Sequence, residues 1–186
     1  MANGVKVKHL TDRHFEIAVV GSDGLDHNIA DVGFGCSQVL PVLVSGLKSM
    51  IRQKLPSGRV SFGHSTLVVQ EPEIHLHPNA QAELGSFFVG VANKGPQVFL
   101  ETHSDNMVLR VARHIAAGDI DADAVRIFYI RDDNGTKSVS RIEFDESGRF
   151  KPEWPGGFFP QRQSESFELA KASVARVKKI DATNRN

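Results

Sequence analysis

Three short stretches of this 186-residue chain hold side chains whose types and spacing could do chemistry. The first is Gln70-Glu71-Pro72-Glu73-Ile74-His75-Leu76-His77, which follows the apolar run Leu67-Val68-Val69. With His103, its two carboxylates and two imidazoles are candidate metal ligands. The second is Glu101-Thr102-His103-Ser104, after another apolar run. An imidazole there can donate a hydrogen bond to a phosphoryl oxygen. The third is Gly33-Phe34-Gly35-Cys36-Ser37-Gln38. Glycines let a backbone approach a ligand, and a serine at a helix N-terminus adds a hydroxyl to a positive dipole end. Each stretch also has a plainer explanation: a solvated acidic turn, a capping histidine, and a glycine loop with a serine cap.

The flanking pattern says what must position these groups. Residues 5–10 and 15–19 alternate with period two, which predicts a hairpin. Ser37 is expected to cap a helix carrying Val39, Leu40, Leu43, Val44 and Leu47, with Pro41 in its first turn and Leu55-Pro56-Ser57-Gly58 after its end. Residues 66–70 and 97–101 read as strands buried on both faces of a parallel sheet. Pro78 opens a helix between them, and Ser104 or Asp105 caps another that stops at Gly118. Residues 125–130 read as a third strand, followed by a turn at Asp133-Asn134-Gly135 into a strand over 139–144. Residues 147–160 read as an aromatic-bearing loop around Trp154, Phe158 and Phe159, and 164–179 as a last helix. Strand and helix alternate through the middle, so the fold class is α/β with a largely parallel sheet. Ligands of such sheets sit beyond the carboxyl ends of the strands, where the first two stretches fall.

Bulk properties narrow the function. Lys plus Arg and Asp plus Glu both number 22, so net charge is zero and a globally basic nucleic-acid binder is not indicated. The single cysteine, Cys36, cannot form an intrachain disulfide. The first ten residues contain no apolar run of secretory type, and no stretch reaches the roughly 20 apolar residues of a membrane span. A cytoplasmic protein without membrane association is expected.

Taken in order, the three stretches resemble the C-terminal part of an ABC-type ATPase head: signature loop, Walker B strand, then switch histidine. The closer resemblance is to OLD-like and related bacterial AAA-type ATPases, on Gly33-Phe34-Gly35-Cys36-Ser37-Gln38-Val39-Leu40-Pro41, Glu71-Pro72-Glu73-Ile74-His75-Leu76-His77-Pro78 and Glu101-Thr102-His103-Ser104. The tail Trp154-Pro155-Gly156-Gly157-Phe158-Phe159 is similar to the C-terminal piece of one uncharacterised subgroup. The resemblance implies a P-loop NTPase-like half-fold, a parallel sheet flanked by helices with an N-terminal β-hairpin. It implies three parts: a hairpin region over 1–30, an ATPase core over 31–131 and a C-terminal region over 132–186. It implies ATP and Mg²⁺ as ligands. Glu71 would be the catalytic base and His103 the switch group. Gly33, Gly35, Ser37 and Gln38 would form the signature, Leu76 and His77 the D-loop, and Gln70 the metal-side position. A homodimer, or pairing with a missing N-terminal half, would complete the site, with DNA or an effector protein as target.

Two departures stand out. Gln70 is an amide where a carboxylate is usual, and an amide holds Mg²⁺ less strongly. No GxxxxGK[ST] occurs in the 186 residues, so the phosphate cradle is missing. The expectation is therefore a fragment or half of a split ATPase, inactive alone. Two alternatives stay open: a non-catalytic interaction module derived from such an ATPase, and a metal-dependent hydrolase using His75 and His77. Asp119, Asp121 and Asp123 precede a strand instead of following one, and read as a solvated loop.

Overall fold

The computed structural model describes residues 4–51 and 65–154, and the expected last helix over 164–179, with Phe158 and Phe159, lies outside them. The chain divides into two compact units, Met1–His114 and Ile115–Asn186. In the first, β1 (Gly4–Thr11), β2 (His14–Val20) and β3 (Asp26–Asn28) form an antiparallel sheet in that order. The hairpin expected from the Val-Lys alternation is thus present. Lys6 and Lys8 share one face of β1 and reach past β2 to Asp26 on β3, at 2.9 and 3.0 Å. These hydrogen bonds hold the Asp26 carboxyl below its usual value.

Next come α1 (Phe34–Ser49), β4 (Thr66–Gln70), α2 (Pro78–Ala92), β5 (Gln97–Glu101) and α3 (Asp105–Ala116). Strands β4 and β5 pair in parallel, from Thr66 beside Gln97 to Gln70 beside Glu101. The core of this unit is Leu67, Leu84, Phe88, Val91 and Met107, with Val69, Val98 and Leu100 packed against it. Burying each large apolar side chain stabilises the fold by about 1.5–3 kcal/mol. This cluster therefore fixes where the strand ends point.

The structure corrects three expectations about the elements. Ser37 is not the cap of α1. The helix begins three residues earlier, because Gly33, at φ 88° and ψ 158°, makes the turn into it in a backbone region that only glycine adopts readily. Pro41 consequently lies inside the helix, beyond its first turn. The parallel strands are not buried on both faces either. Val68 is 74% exposed and its register partner Phe99 is 52% exposed, because the core covers only the Leu67 and Leu100 side. Finally, the strand expected over 125–130 does not extend the parallel pair.

That strand is β6 (Ile127–Asp133), in the second unit. It pairs antiparallel with β7 (Thr136–Phe144), which pairs with β8 (Phe150–Lys151). Asn134 and Gly135 both take positive φ, 55° and 87°, the geometry that returns a chain immediately as a hairpin. Local turn chemistry therefore decides the partner of β6. Ile142 is fully buried, and Trp154 packs against Tyr129 and Phe150 with ring centroids 5.1 and 5.2 Å apart.

Candidate functional site

The site is built where β4 and β5 end. The ladder continues one residue past β4, with the Glu71 amide donating to the Glu101 carbonyl at 2.9 Å. Glu71 then turns the chain sharply at φ 43°, and His75 closes the same turn at φ 63°. Positive φ is strained for residues with a Cβ, and such strain concentrates at functional turns. Pro72 and Glu73 are buried between them. His77 then caps α2, its Nδ1 accepting from the Asn79 amide at 3.3 Å, with Pro78 in the first helical position.

This turn faces the segment that follows β5. His103 Nε2 lies 3.0 Å from Glu71 Oε1. The His103 ring is largely exposed and Glu71 about one-third exposed, so the pair opens to solvent. Behind it, Glu73 is 6% exposed, and its Oε1 accepts from the Thr102 hydroxyl at 2.8 Å and the His103 amide at 2.6 Å. Further in, the buried Ser104 hydroxyl donates to Gln81 Oε1 at 2.7 Å and caps α3 by accepting from the Met107 amide at 3.1 Å. Gln81 in turn donates to the Leu76 carbonyl at 3.0 Å. One polar network thus ties both strand-end segments to α2 and α3.

The glycine stretch approaches from α1. A Cβ on Gly35 would lie 2.8 Å from the His75 carbonyl oxygen, so only glycine lets α1 start this close to the 71–77 turn. The Phe34 and His75 rings meet at 6.0 Å. Ser37 and Gln38 are exposed in the opening turns of α1, and the Ser37 hydroxyl donates to the Phe34 carbonyl at 2.9 Å. Gly33, the N-cap of α1, has no side chain to cap the helix, and among the described residues no side-chain cap bond is made there, which leaves N–H groups available to an acceptor.

The structure therefore brings together Glu71 and His103, and sets Gly35 against the same turn. Gly33 shapes the entry to α1, and His77 serves as a helix cap. Gln70 is exposed at the end of β4, beside Glu101. Gln70, Glu71 and Glu101 are hard oxygen donors, the type Mg²⁺ takes. Among the described residues, no group of three or more His, Cys, Asp and Glu could hold a metal ion. Motif spacing alone does not reveal the roles of Glu73, Gln81 and Thr102. Their partners lie 23 to 30 residues away in sequence for Gln81–Ser104 and Glu73–His103, and no local spacing marks such pairs.

Comparisons with known proteins say which family this arrangement of strands and helices belongs to. Residues 2–108 match the family described as AAA ATPase domain, and the chain belongs to that family. Residues 120–169 match a family described as a protein of unknown function, DUF3696. A solved SMC ATPase, from work on ATP-driven dimerization and DNA-stimulated activation, shares 12% identity at a TM-score of 0.50. The match covers 75% of this chain and 74% of that one, and it shows a shared P-loop NTPase-type fold. No curated protein matches the chain. Among the described residues no helix is long and apolar enough to cross a membrane.

Proposed function

We propose that the chain contributes the signature, catalytic-base and switch parts of an ATP-hydrolysing site that forms between two subunits. The observation that carries this reading is the Glu71–His103 pair, 3.0 Å apart at the ends of two parallel strands. Glu71 is the general base: its carboxylate orients a water and takes its proton. Its backbone is held at a fixed angle by the positive-φ turn and by the Glu101 carbonyl, so the carboxylate is aimed before substrate arrives. His103 holds one Glu71 oxygen and offers its ring to a phosphoryl oxygen. The open N-terminus of α1, with Ser37, faces the phosphates bound by the partner subunit. Bound Mg²⁺ would neutralise phosphate charge, with Gln70 on the metal side.

The phosphate cradle comes from another polypeptide segment, since GxxxxGK[ST] does not occur in these residues. Closure of the two subunits on ATP couples hydrolysis to an effector or to DNA, in line with the SMC ATPase that the fold is similar to. The test is ATP hydrolysis by this chain combined with a P-loop-bearing chain of the same family. Hydrolysis should appear on mixing and fall by about 10²- to 10⁴-fold with Glu71→Gln. Mixing that yields no hydrolysis dependent on Glu71 sinks the catalytic reading and leaves an interaction module.

A further inference from the structure

The buried carboxylate of Glu73 has no part in the chemistry just described, yet it is expensive to fold. It is 6% exposed, and among the described residues no hydrogen bond reaches its Oε2. A buried carboxylate with a bare oxygen loses hydration that it does not recover. An apolar side chain would fill the same space at lower cost. What Glu73 does have is a grip on the segment opposite: Oε1 takes both the Thr102 hydroxyl and the His103 amide. Two residues earlier, Glu71 takes the His103 ring nitrogen and donates its own amide to the Glu101 carbonyl. The turn 71–73 therefore holds residues 101–103 at four points. Two of these points belong to Glu73, and they fix the backbone from which the His103 ring projects.

We infer that Glu73 is a positioning residue: it sets the backbone of Thr102 and His103 so that the exposed His103 ring meets Glu71. An 80% exposed imidazole has no packing to hold its direction, and a single contact with a part-exposed carboxylate is weak in water. The fixed point has to be its own main chain. Through Glu73, displacement of either strand-end segment is carried to the other. The consequence for hydrolysis rests on the function proposed above, whereas the positional role stands on these hydrogen bonds alone.

The test reads the His103 imidazole directly in the isolated chain, by ¹⁵N and ¹³C ring shifts, with Glu71→Ala supplying the shifts of an unpaired ring. In Glu73→Ala the His103 shifts should move to the Glu71→Ala values, and His103 amide exchange should accelerate about tenfold or more. Glu73→Gln keeps an acceptor oxygen at the same reach and should retain the native shifts. A folded Glu73→Ala protein with native His103 shifts overturns the inference. Should that variant fail to fold, Glu73→Asp takes its place: its carboxylate falls one methylene short, so moved shifts support the role and native shifts overturn it. Ring shifts that do not respond to Glu71→Ala would instead refute the Glu71–His103 pair and the proposed chemistry. Glu73 is then judged by His103 amide exchange alone, with native exchange in Glu73→Ala as the overturning result.

Discussion

The α-carbon of Gly35 faces the carbonyl of His75 so closely that a methyl group on it would sit 2.8 Å from that oxygen. His75 cannot retreat cheaply, since its own backbone is already at φ 63°. Gly35→Ala should therefore destabilise the protein by about 1–2 kcal/mol, the overpacking penalty outweighing the gain in helix propensity. Gly90 is the control. It lies inside α2 with nothing within 4 Å of an added Cβ, so Gly90→Ala should stabilise by about 0.5–1 kcal/mol. Urea denaturation of both variants checks the opposite signs.

Ser104 links α3 to the site network, as the cap of Met107 and the donor to Gln81. Ser104→Ala removes both bonds in a buried setting and should cost about 1–3 kcal/mol. The urea midpoint should drop with the slope unchanged. A loss under 0.5 kcal/mol, roughly the scatter of ordinary surface changes, would show that the network is not cooperative.

Pro41 sits within α1 and has no N–H for the carbonyl of Ser37. Pro41→Ala should complete that turn and raise stability by about 1–3 kcal/mol. Thermal unfolding checks it. The same variant in the mixed ATPase assay shows whether an unbonded Ser37 carbonyl matters to turnover.

Asp26 is held below its usual carboxyl value by Lys6 and then Lys8. A lowered folded pKa means stability that is present above the unfolded value near 3.8 and is lost as pH falls through the folded one. Asp26→Asn should thus lower stability at pH 7. The difference from the parent should shrink as the solution is acidified below pH 3.8, and also in high salt, because these groups are solvent-accessible. Melting curves against pH and NaCl give the comparison.

Much of this protein could be read locally. Alternation in residues 5–10 and 15–19, Pro78 after His77, Asn134-Gly135 and the order of the three polar stretches each state a backbone preference or a family pattern without reference to distant residues. The family resemblance rests on that order, the first hairpin and α2 on alternation and helical spacing, the second hairpin on its Asn-Gly turn, and both parallel strands on short apolar runs. Two misreadings were also local. Serine commonly caps helices, which points to Ser37, while the glycine at 33 makes the turn unaided. Alternation of elements joins residues 125–130 to the parallel sheet, while the turn at 134–135 sends β6 into an antiparallel pair.

Tertiary structure decided the rest. Nothing between residues 73 and 102 says that a glutamate and a threonine meet, since that contact exists only once Leu67, Leu84, Phe88 and Met107 have packed β4, α2 and α3 together. The bare face of Val68 and Phe99, the closeness of Gly35 to His75, and the aim of His103 toward Glu71 arise in the same way. Residue types and local spacing supplied the chemical groups. Long-range packing set their distances, because side chains near in space but far in sequence leave no periodic trace in the chain.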